Sequence, residues 1–302
     1  MLHKPVLVQE VLQALKIEPG DLVVDGTLGS AGHSTQILKL LGPSGRLISI
    51  DRDPASIERC KGLFGGDPRV SLYNGNFGNF KAIMDSLNIS KVDAILIDIG
   101  FSSDQVESSE RGFSFDREGP LDMRMNPEDP VSARDLVNDL SEKELEEIFS
   151  EYGEERRAAR FAKAICHERR LRPLETTGDL VRVLEKNLPA AFSAEKGHRP
   201  SWARRHPATR VFQALRIAVN GELSALKSGL PEMFDSLKPG GRLGVISFHS
   251  LEDRIVKYQF KEWIQAGKAL SHSKKPVVAQ EEERLSNRRS RSAKLRALEK
   301  LS

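Results

Sequence analysis

The sequence predicts an α/β protein: a doubly wound, mostly parallel sheet interrupted by a helical insertion between its fourth and fifth strands. Three observations carry this. Short aliphatic runs alternate with helical patterns through the first hundred residues, as repeated βα units demand. The run "AILI" inside 92–100 is apolar without alternation, which suits a strand buried on both faces. From about Gln105 to Arg210 no strand-like run appears, and the alternation then returns.

In order, "MLHKPVLVQEVLQAL" reads as the start of an amphipathic helix, without the charged-then-apolar layout of a signal peptide. "DLVVDG" (21–26), "GRLISID" (45–51), "RVSLYN" (69–74) and "VDAILIDIG" (92–100) read as the first four strands. Helices are expected over "GHSTQILKLL" (32–41), "DPASIERCKGLF" (53–64) and "FGNFKAIMDSL". Asp53 is the expected N-cap of the second, with Pro54 at its first position. The insertion opens with the loop "SSERGFSFDREGPLDMRMNPEDP" and continues as helices with charged faces. "GGRLGVISFHS" (240–250) is the fifth strand, and "ALSHSKKPVVA" and "SAKLRALEK" supply two last edge strands. The expected domains are 1–104 with 211–302, and the insertion 105–210.

At 302 residues, 39% hydrophobic and 29% charged, the chain has the composition of an ordinary globular protein. No run of about 18 apolar residues offers a membrane span. Cys60 and Cys166 lie too far apart in sequence for a disulfide framework and suit a reducing cytoplasm. The net charge of +3 decides nothing, but its distribution is uneven. An acidic stretch from Glu128 to Glu155 gives way to "RRAARFAKAICHERRLRP" (156–173), and "HRPSWARRHPATR" (198–210) and "NRRSRSAKLR" (287–296) follow. These three basic clusters are either solvated helix faces or a surface that gathers phosphates.

The sharpest motif is "DGTLGSAGHS" (25–34). Gly26, Gly29 and Gly32 permit a tight strand-to-helix turn and close approach by a ligand. Asp51 ends the second strand 22 residues after Gly29, where an acid meets a ribose diol in nucleotide-type folds. The bland alternative is a plain tight turn. The spacing G-x-x-G-x-x-G is not the dinucleotide pattern, and it lacks the G-K-[ST] ending of a phosphate-gripping loop. Asp25, Asp51 and Asp98 give an acid-rich rim, which favours a cationic sulfonium over an anionic pyrophosphate. Phe77, in "NGNF" (74–77), stands where it could border an adenine. These features point to S-adenosylmethionine.

The strings "DGTLGSAGHS", "AILIDIGFSSDQ", "RGFSFDREGPLDMRM", "YGEER", "HPATRVFQALRIAVNGEL", "GGRLGVISFHSLEDRIVK" and "NRRSRSAKLR" occur in this order over nearly the whole chain. In this the sequence resembles the bacterial ribosomal RNA small-subunit methyltransferase H family. The resemblance implies a Rossmann-like class I methyltransferase with a helical insertion that recognises RNA. It implies S-adenosylmethionine as donor and the exocyclic N4 of a cytosine in the decoding region of 16S ribosomal RNA as acceptor. By motif, Ala31, Gly32 and His33 would belong to the donor site, Asp51 would hold the ribose, and Phe77 would border the adenine. Asp98 and Gln105 would line the methionine side. Two departures stand out: family members carry glycine where this chain has Ala31, and "DLGVSSPQ" where it has "DIGFSSDQ" (98–105). Ala31 is expected to be tolerated only with a negative φ, and Asp104 replaces a proline that would stiffen the loop.

Cytosine N4 is a poor nucleophile, so an acceptor for its proton is expected. Asp98 or the pair Ser102 and Ser103 are the candidates, unless the serines only cap a turn; Phe101 is a stacking candidate. Asp122 and Arg124 of "GPLDMRM" either reach the base or a phosphate, or belong to a packed loop with Met123 and Met125. In "FHSLEDR" the spacing of Ser250 and Asp253 predicts a capping box, with His249 near the pocket and able to touch RNA. Arg156, Arg157, Arg160, Arg169, Arg170, Arg204, Arg205, Arg288, Arg289 and Arg291 are the expected phosphate grip. The histidines and cysteines show no metal-ligand spacing, so no metal is expected. The expected partner is the small ribosomal subunit or its RNA, with no membrane; a homodimer is left open. Two rivals remain: the same chemistry on another acceptor, and a non-catalytic ribosome assembly factor.

Overall fold

The computed structural model describes residues 5–101, 103–188, 206 and 208–301, with the side chain of residue 103 outside that description. Two compact units divide the chain: Met1–Ser102 with Leu223–Ser302, and Ser103–Glu222.

The first unit is built on one sheet. Helix α1 (Val8–Leu15) precedes β1 (Leu22–Asp25), α2 (Gly32–Leu40), β2 (Arg46–Asp51), α3 (Pro54–Phe64), β3 (Val70–Asn74), α4 (Phe80–Ser86) and β4 (Val92–Asp98). β1 pairs in parallel with β2 and β4, and β2 with β3. The chain re-enters this sheet at β5 (Leu237–Ser247), parallel to β4, so the order runs β3-β2-β1-β4-β5. As expected, Asp53 caps α3: its carboxylate accepts from Ala55 N at 3.0 Å, with Pro54 at the first helical position.

The sheet is buried on both faces, and its alternation sorts the strand residues. Val24, Ile48, Ile50, Ile95 and Ile97 face Phe80 and Met84 of α4, together with Leu226, Leu230 and Phe234 of α11 (Glu222–Ser236) and Phe260 and Trp263 of α12 (Ser250–Gln265). Val23, Leu47, Ala94 and Leu96 face α1 and α2 through Val11, Leu15 and Ile37. Burying a side chain such as Phe80 contributes about 1.5–3 kcal/mol.

The last strands depart from expectation. "ALSHSKKPVVA" forms two short strands, β6 (Ala269–Leu270) and β7 (Val277–Val278), rather than one. β8 (Lys294–Lys300) is not an edge: it lies antiparallel between β5 on one side and β6 and β7 on the other. Leu295 and Leu298 are buried there. The capping box before α12 is also shifted by one residue. His249, not Ser250, is the N-cap, and Glu252 closes the box by accepting from Phe248 N (2.8 Å) and His249 N (3.2 Å). Asp253 is free for another task, pairing with Arg296 at 2.7 Å and Lys294 at 3.2 Å. Local spacing allowed both registers; contacts with β8 chose one.

The second unit holds α5 (Ser103–Glu107), α6 (Ala133–Asp139), α7 (Glu142–Glu151), α8 (Ala158–Glu168), α9 (Thr177–Lys186) and α10 (Ala208–Asn220). Thus α10, which the sequence grouped with the sheet from residue 211, packs here, and the sheet unit resumes at Leu223 within α11 (Glu222–Ser236). Its core is Phe149, Phe161, Ile165, Leu180, Leu184, Val211 and Leu215. Ser132, Ser141 and Thr176 start α6, α7 and α9 with full capping boxes closed by Asp135, Glu144 and Asp179. Among the described residues no helix is long and apolar enough to cross a membrane.

Candidate functional site

The strand order reverses between β1 and β4, and open α/β sheets bind ligands at the carboxyl ends beside such a reversal. Asp25, Asp51 and Asp98 end β1, β2 and β4 at that rim. Hydrogen bonds to segments distant in the chain shape the turn after β1. Gly26 N donates to Leu96 O (2.9 Å) and Leu28 N to Ile50 O (2.8 Å), stitching the turn to both neighbouring strands. A side chain at Gly26 would strike Ile97 Cδ1 at 2.3 Å, and Gly29 has φ 52°. Thr27 Oγ1 accepts from Asp98 N at 2.7 Å, joining the turn to the tip of β4.

Ala31, the residue before α2, has φ 61°. The expectation of a negative φ is therefore overturned: Ala31 takes the left-handed conformation that glycine takes more readily, at a cost of about 1 kcal/mol. Its methyl is fully buried beside Leu28, Ile57 and Cys60, which offsets part of that strain. Gly32 follows as the first residue of α2, where a Cβ would lie 2.8 Å from the Pro5 side chain.

The acids differ in how well they are satisfied. Asp51 is half-buried; Oδ2 accepts from Gly29 N (2.6 Å) and Oδ1 from Asp53 N (2.8 Å). Burial outweighs those amides and, with the Asp53 and Asp25 carboxylates, pushes the Asp51 carboxyl up to about 6. Asp25 accepts from Ser34 Oγ (2.6 Å) and Thr27 N (3.1 Å), yet burial still raises it. His33 is buried with Nε2 3.5 Å from Asp98 Oδ2. Burial alone would lower the imidazole, but the Asp98 carboxylate, then Asp25 and Glu283, raise it above its ordinary value. Neither His33 Nε2 nor Asp98 Oδ1 finds a hydrogen-bond partner among the described residues, although both atoms are buried. Such atoms are costly unless something fills the site.

Phe77 opens a single turn of 3-10 helix, Phe77–Asn79, whose start Asn76 caps by accepting from Gly78 N at 2.8 Å. Its Cβ lies 3.6 Å from where a side chain on Gly26 would begin. The structure thus gathers Gly26, Gly29, Ala31, Gly32, His33, Asp51, Phe77 and Asp98 around the ends of β1, β2 and β4. The donor set suits a cationic, hydroxyl-bearing ligand: acidic tips, a close-approach turn, and an unsatisfied carboxylate oxygen.

The sequence model of the MraW methylase family matches residues 1–301. The chain belongs to that family. The "Ribosomal RNA small subunit methyltransferase H" of Geobacter sulfurreducens is 47% identical over 318 residues, covering 99% of this chain and 99% of that protein. Those of Heliobacterium modesticaldum and Coprothermobacter proteolyticus are each 45% identical, covering 99% of this chain and 98% and 96% of their own lengths.

Most other residues expected at the site of this MraW-family methylase belong to the second unit or to the chain after β5. Gln105 is buried in α5 of the second unit, and Ser103 begins that helix; Ser102 lies outside the described residues. Asp122 and Arg124 hold each other, with Arg124 Nη2 donating to Asp122 Oδ2 at 2.6 Å and Nη1 to Asp129 O at 2.8 Å. Between them Met123 is buried with φ 63°, and Asn220 binds both Met123 O and Met125 N at 2.8 Å. That is the packed-loop arrangement, with both side chains still partly open to solvent. The His249 ring is turned onto its own helix, Nε2 lying 2.8 Å from Glu252 Oε1.

Of the arginines, Arg156, Arg160, Arg170, Arg288 and Arg291 are exposed, Arg291 with Nε donating to Arg284 O at 3.0 Å. Arg157 folds back on Glu155, and Arg169 donates to Val137 O at 2.7 Å. Arg204 and Arg205 lie outside the described residues. Sequence reasoning missed Thr27, Ser34 and Ser49, which knit the turn internally; Ser34 and Ser49 share a hydrogen bond of 2.8 Å. The available signal was hydroxyl residues interleaved with the glycines.

Proposed function

We propose that this methylase transfers a methyl group from S-adenosylmethionine to the exocyclic N4 of a cytosine in the decoding region of small-subunit ribosomal RNA, acting in the cytoplasm. The observation that carries the reading is the buried, unpartnered Asp98 Oδ1 beside two other strand-tip acids at the sheet's reversal point. The printed names of the close relatives support the RNA acceptor.

When bound, the donor supplies a methyl on an already activated sulfonium leaving group. The protein's own work is alignment and exclusion of water, which can be worth up to about 7–11 kcal/mol. Asp51, with each oxygen carrying one amide, keeps acceptor capacity for the ribose hydroxyls. The acidic rim raises the local concentration of a cation. Phe77 would border the adenine, and Ala31, Gly32 and His33 would complete the first unit's share of the donor site. Asp98, or the Ser102–Ser103 pair, accepts a proton from the cytosine N4, and Phe101 stacks on the flipped base. The second unit recognises RNA through exposed cations such as Arg156 and Arg160, with Arg204 and Arg205 as further phosphate contacts.

Mass mapping of small-subunit RNA from cells with and without this protein tests the reading, paired with single-turnover methyl transfer to purified subunits. A cytosine carrying one extra methyl only when the protein is present is expected. An unmodified RNA, or label appearing on DNA, transfer RNA or protein instead, would reject it. Binding to subunits should also weaken steeply with salt.

A further inference from the structure

Arg289 stands among the arginines expected to grip phosphate, yet its guanidinium points into its own protein. Nη2 donates to the carbonyl of Phe101, 188 residues earlier in the chain. The guanidinium carbon also lies 5.9 Å from the Phe101 ring centroid and 5.8 Å from that of Phe248. Both rings belong to chain segments that leave the sheet at its ligand-binding end, directly after β4 and β5. The last backbone rung between those segments is Ile99 N to Ile246 O at 2.9 Å. Beyond it Gly100 swings the chain away with φ 126°, and a Cβ there would lie 3.5 Å from the Phe248 ring. The carbonyl that Arg289 holds is therefore the one just past the flexible glycine.

We propose that Arg289 is a positioning residue for the methyl transfer, clamping the turn after β4 so that Phe101 meets the acceptor base in one orientation. This rests on the proposed function, in which Phe101 borders that base. The clamp has a firm base. Arg289 sits in a single 3-10 turn, Arg288–Arg291, started by Asn287, whose side chain accepts from Arg289 N at 3.3 Å. Ser290 is buried and donates to Asn287 O at 2.9 Å. β8 begins shortly after and is paired with β5 along its length. A planar guanidinium can donate in its plane while presenting its faces to aromatic rings; an ammonium cannot do both in a fixed geometry. Arg288, next in sequence, is exposed and is the natural contrast.

The experiment is steady-state methyl transfer to small subunits by wild type, R288A, R289A, R289K, F101L and R289A/F101L, with donor affinity measured by calorimetry. R289A and R289K should each lose roughly 10- to 100-fold in kcat, while KM for subunits and donor Kd stay within about twofold. R288A should show the opposite split, a raised KM with kcat kept. F101L should cost nothing further in the R289A background, because both changes disturb one orientation. A raised KM with kcat kept in R289A, together with a salt slope smaller by about one, would mean a phosphate contact and overturn the proposal; so would multiplying losses in the double variant. If R289A does not fold, R289K carries the comparison. A second readout needs no substrate: fluorine NMR of the full chain with 4-fluorophenylalanine at position 101. The resonance should shift or broaden in R289K, and an unchanged resonance would overturn the clamp. Wild type failing to methylate the RNA would reject the proposed function while leaving that spectroscopic result to decide the clamp.

Discussion

Acids at the strand tips of the first unit and acids of the helical second unit live under opposite physics. Burial dominates at the tips: Asp25 and Asp51 are pushed up, and Asp98 keeps a buried oxygen without a partner. In the helical unit the Ser132 hydroxyl and amide pull Asp135 down, and the Ser141 hydroxyl and amide do the same for Glu144. Asp179 feels burial most, but the amides of Glu175 and Thr176 and the arginines Arg172 and Arg182 outweigh it. One set of carboxylates is satisfied by its own helices. The other is held under burial, and one of its members, Asp98, keeps an oxygen without a partner, as a site completed by a ligand would.

The largest break in this contrast should come from Asp98→Ala. Turnover at saturating donor should fall about 10²- to 10⁴-fold in a single-turnover assay. Full turnover would remove Asp98 as the proton acceptor.

Arg216→Met tests the satisfied side. Arg216 and Glu222 form a buried two-point ion pair at 2.8 Å within the second unit, and stranding Glu222 should cost about 3–5 kcal/mol of stability. Thermal unfolding would show that loss, and donor affinity in the folded protein should be unchanged.

Asp51→Asn should weaken donor binding by about 1.5–3 kcal/mol in calorimetry. Wild-type donor affinity should fall as pH drops through about 6, where Asp51 takes up its proton, and the Asn variant should lose that dependence. Stability follows the opposite trend. Because the folded Asp51 holds its proton above its ordinary 3.8, its contribution to donor-free stability declines as pH rises from 3.8 to about 6. Asp179, lowered in the fold, contributes above 3.8 and loses that contribution as pH falls. Donor-free melts of wild type, Asp51→Asn and Asp179→Asn across pH 3–8 separate the two signs.

The smallest effect should be Ala31→Gly. About 1 kcal/mol of left-handed strain is relieved while roughly 0.8 kcal/mol of methyl burial is lost. A stability change beyond about 0.5 kcal/mol either way would show that one of the two terms has been misjudged.

Much of this was legible in the chain. The first five strands, the helix start at Asp53, and Asp51 at its strand tip are written in aliphatic runs, proline and acid placement. The acidic rim followed from three strand ends. The resemblance, not the spacing, carried the substrate. What stayed hidden were choices among equal local options. Ser250 and His249 both stand ready to begin α12, and Asp122 and Arg124 could face a ligand or each other. Arginines in a row look alike until one of them finds a carbonyl inside.

The sequence by itself determined the alternating βα architecture and the glycine-acid punctuation of the ligand-binding end, because those depend on hydrogen bonding and sterics among near neighbours. Only the tertiary structure decided that β8 lies inside the sheet, that Ala31 turns left-handed, and that Arg289 belongs to Phe101. These outcomes are set by contacts between segments far apart in the chain, 188 residues in the last case. No local window holds both partners of such a contact, and its free energy appears only once the loop between them has closed.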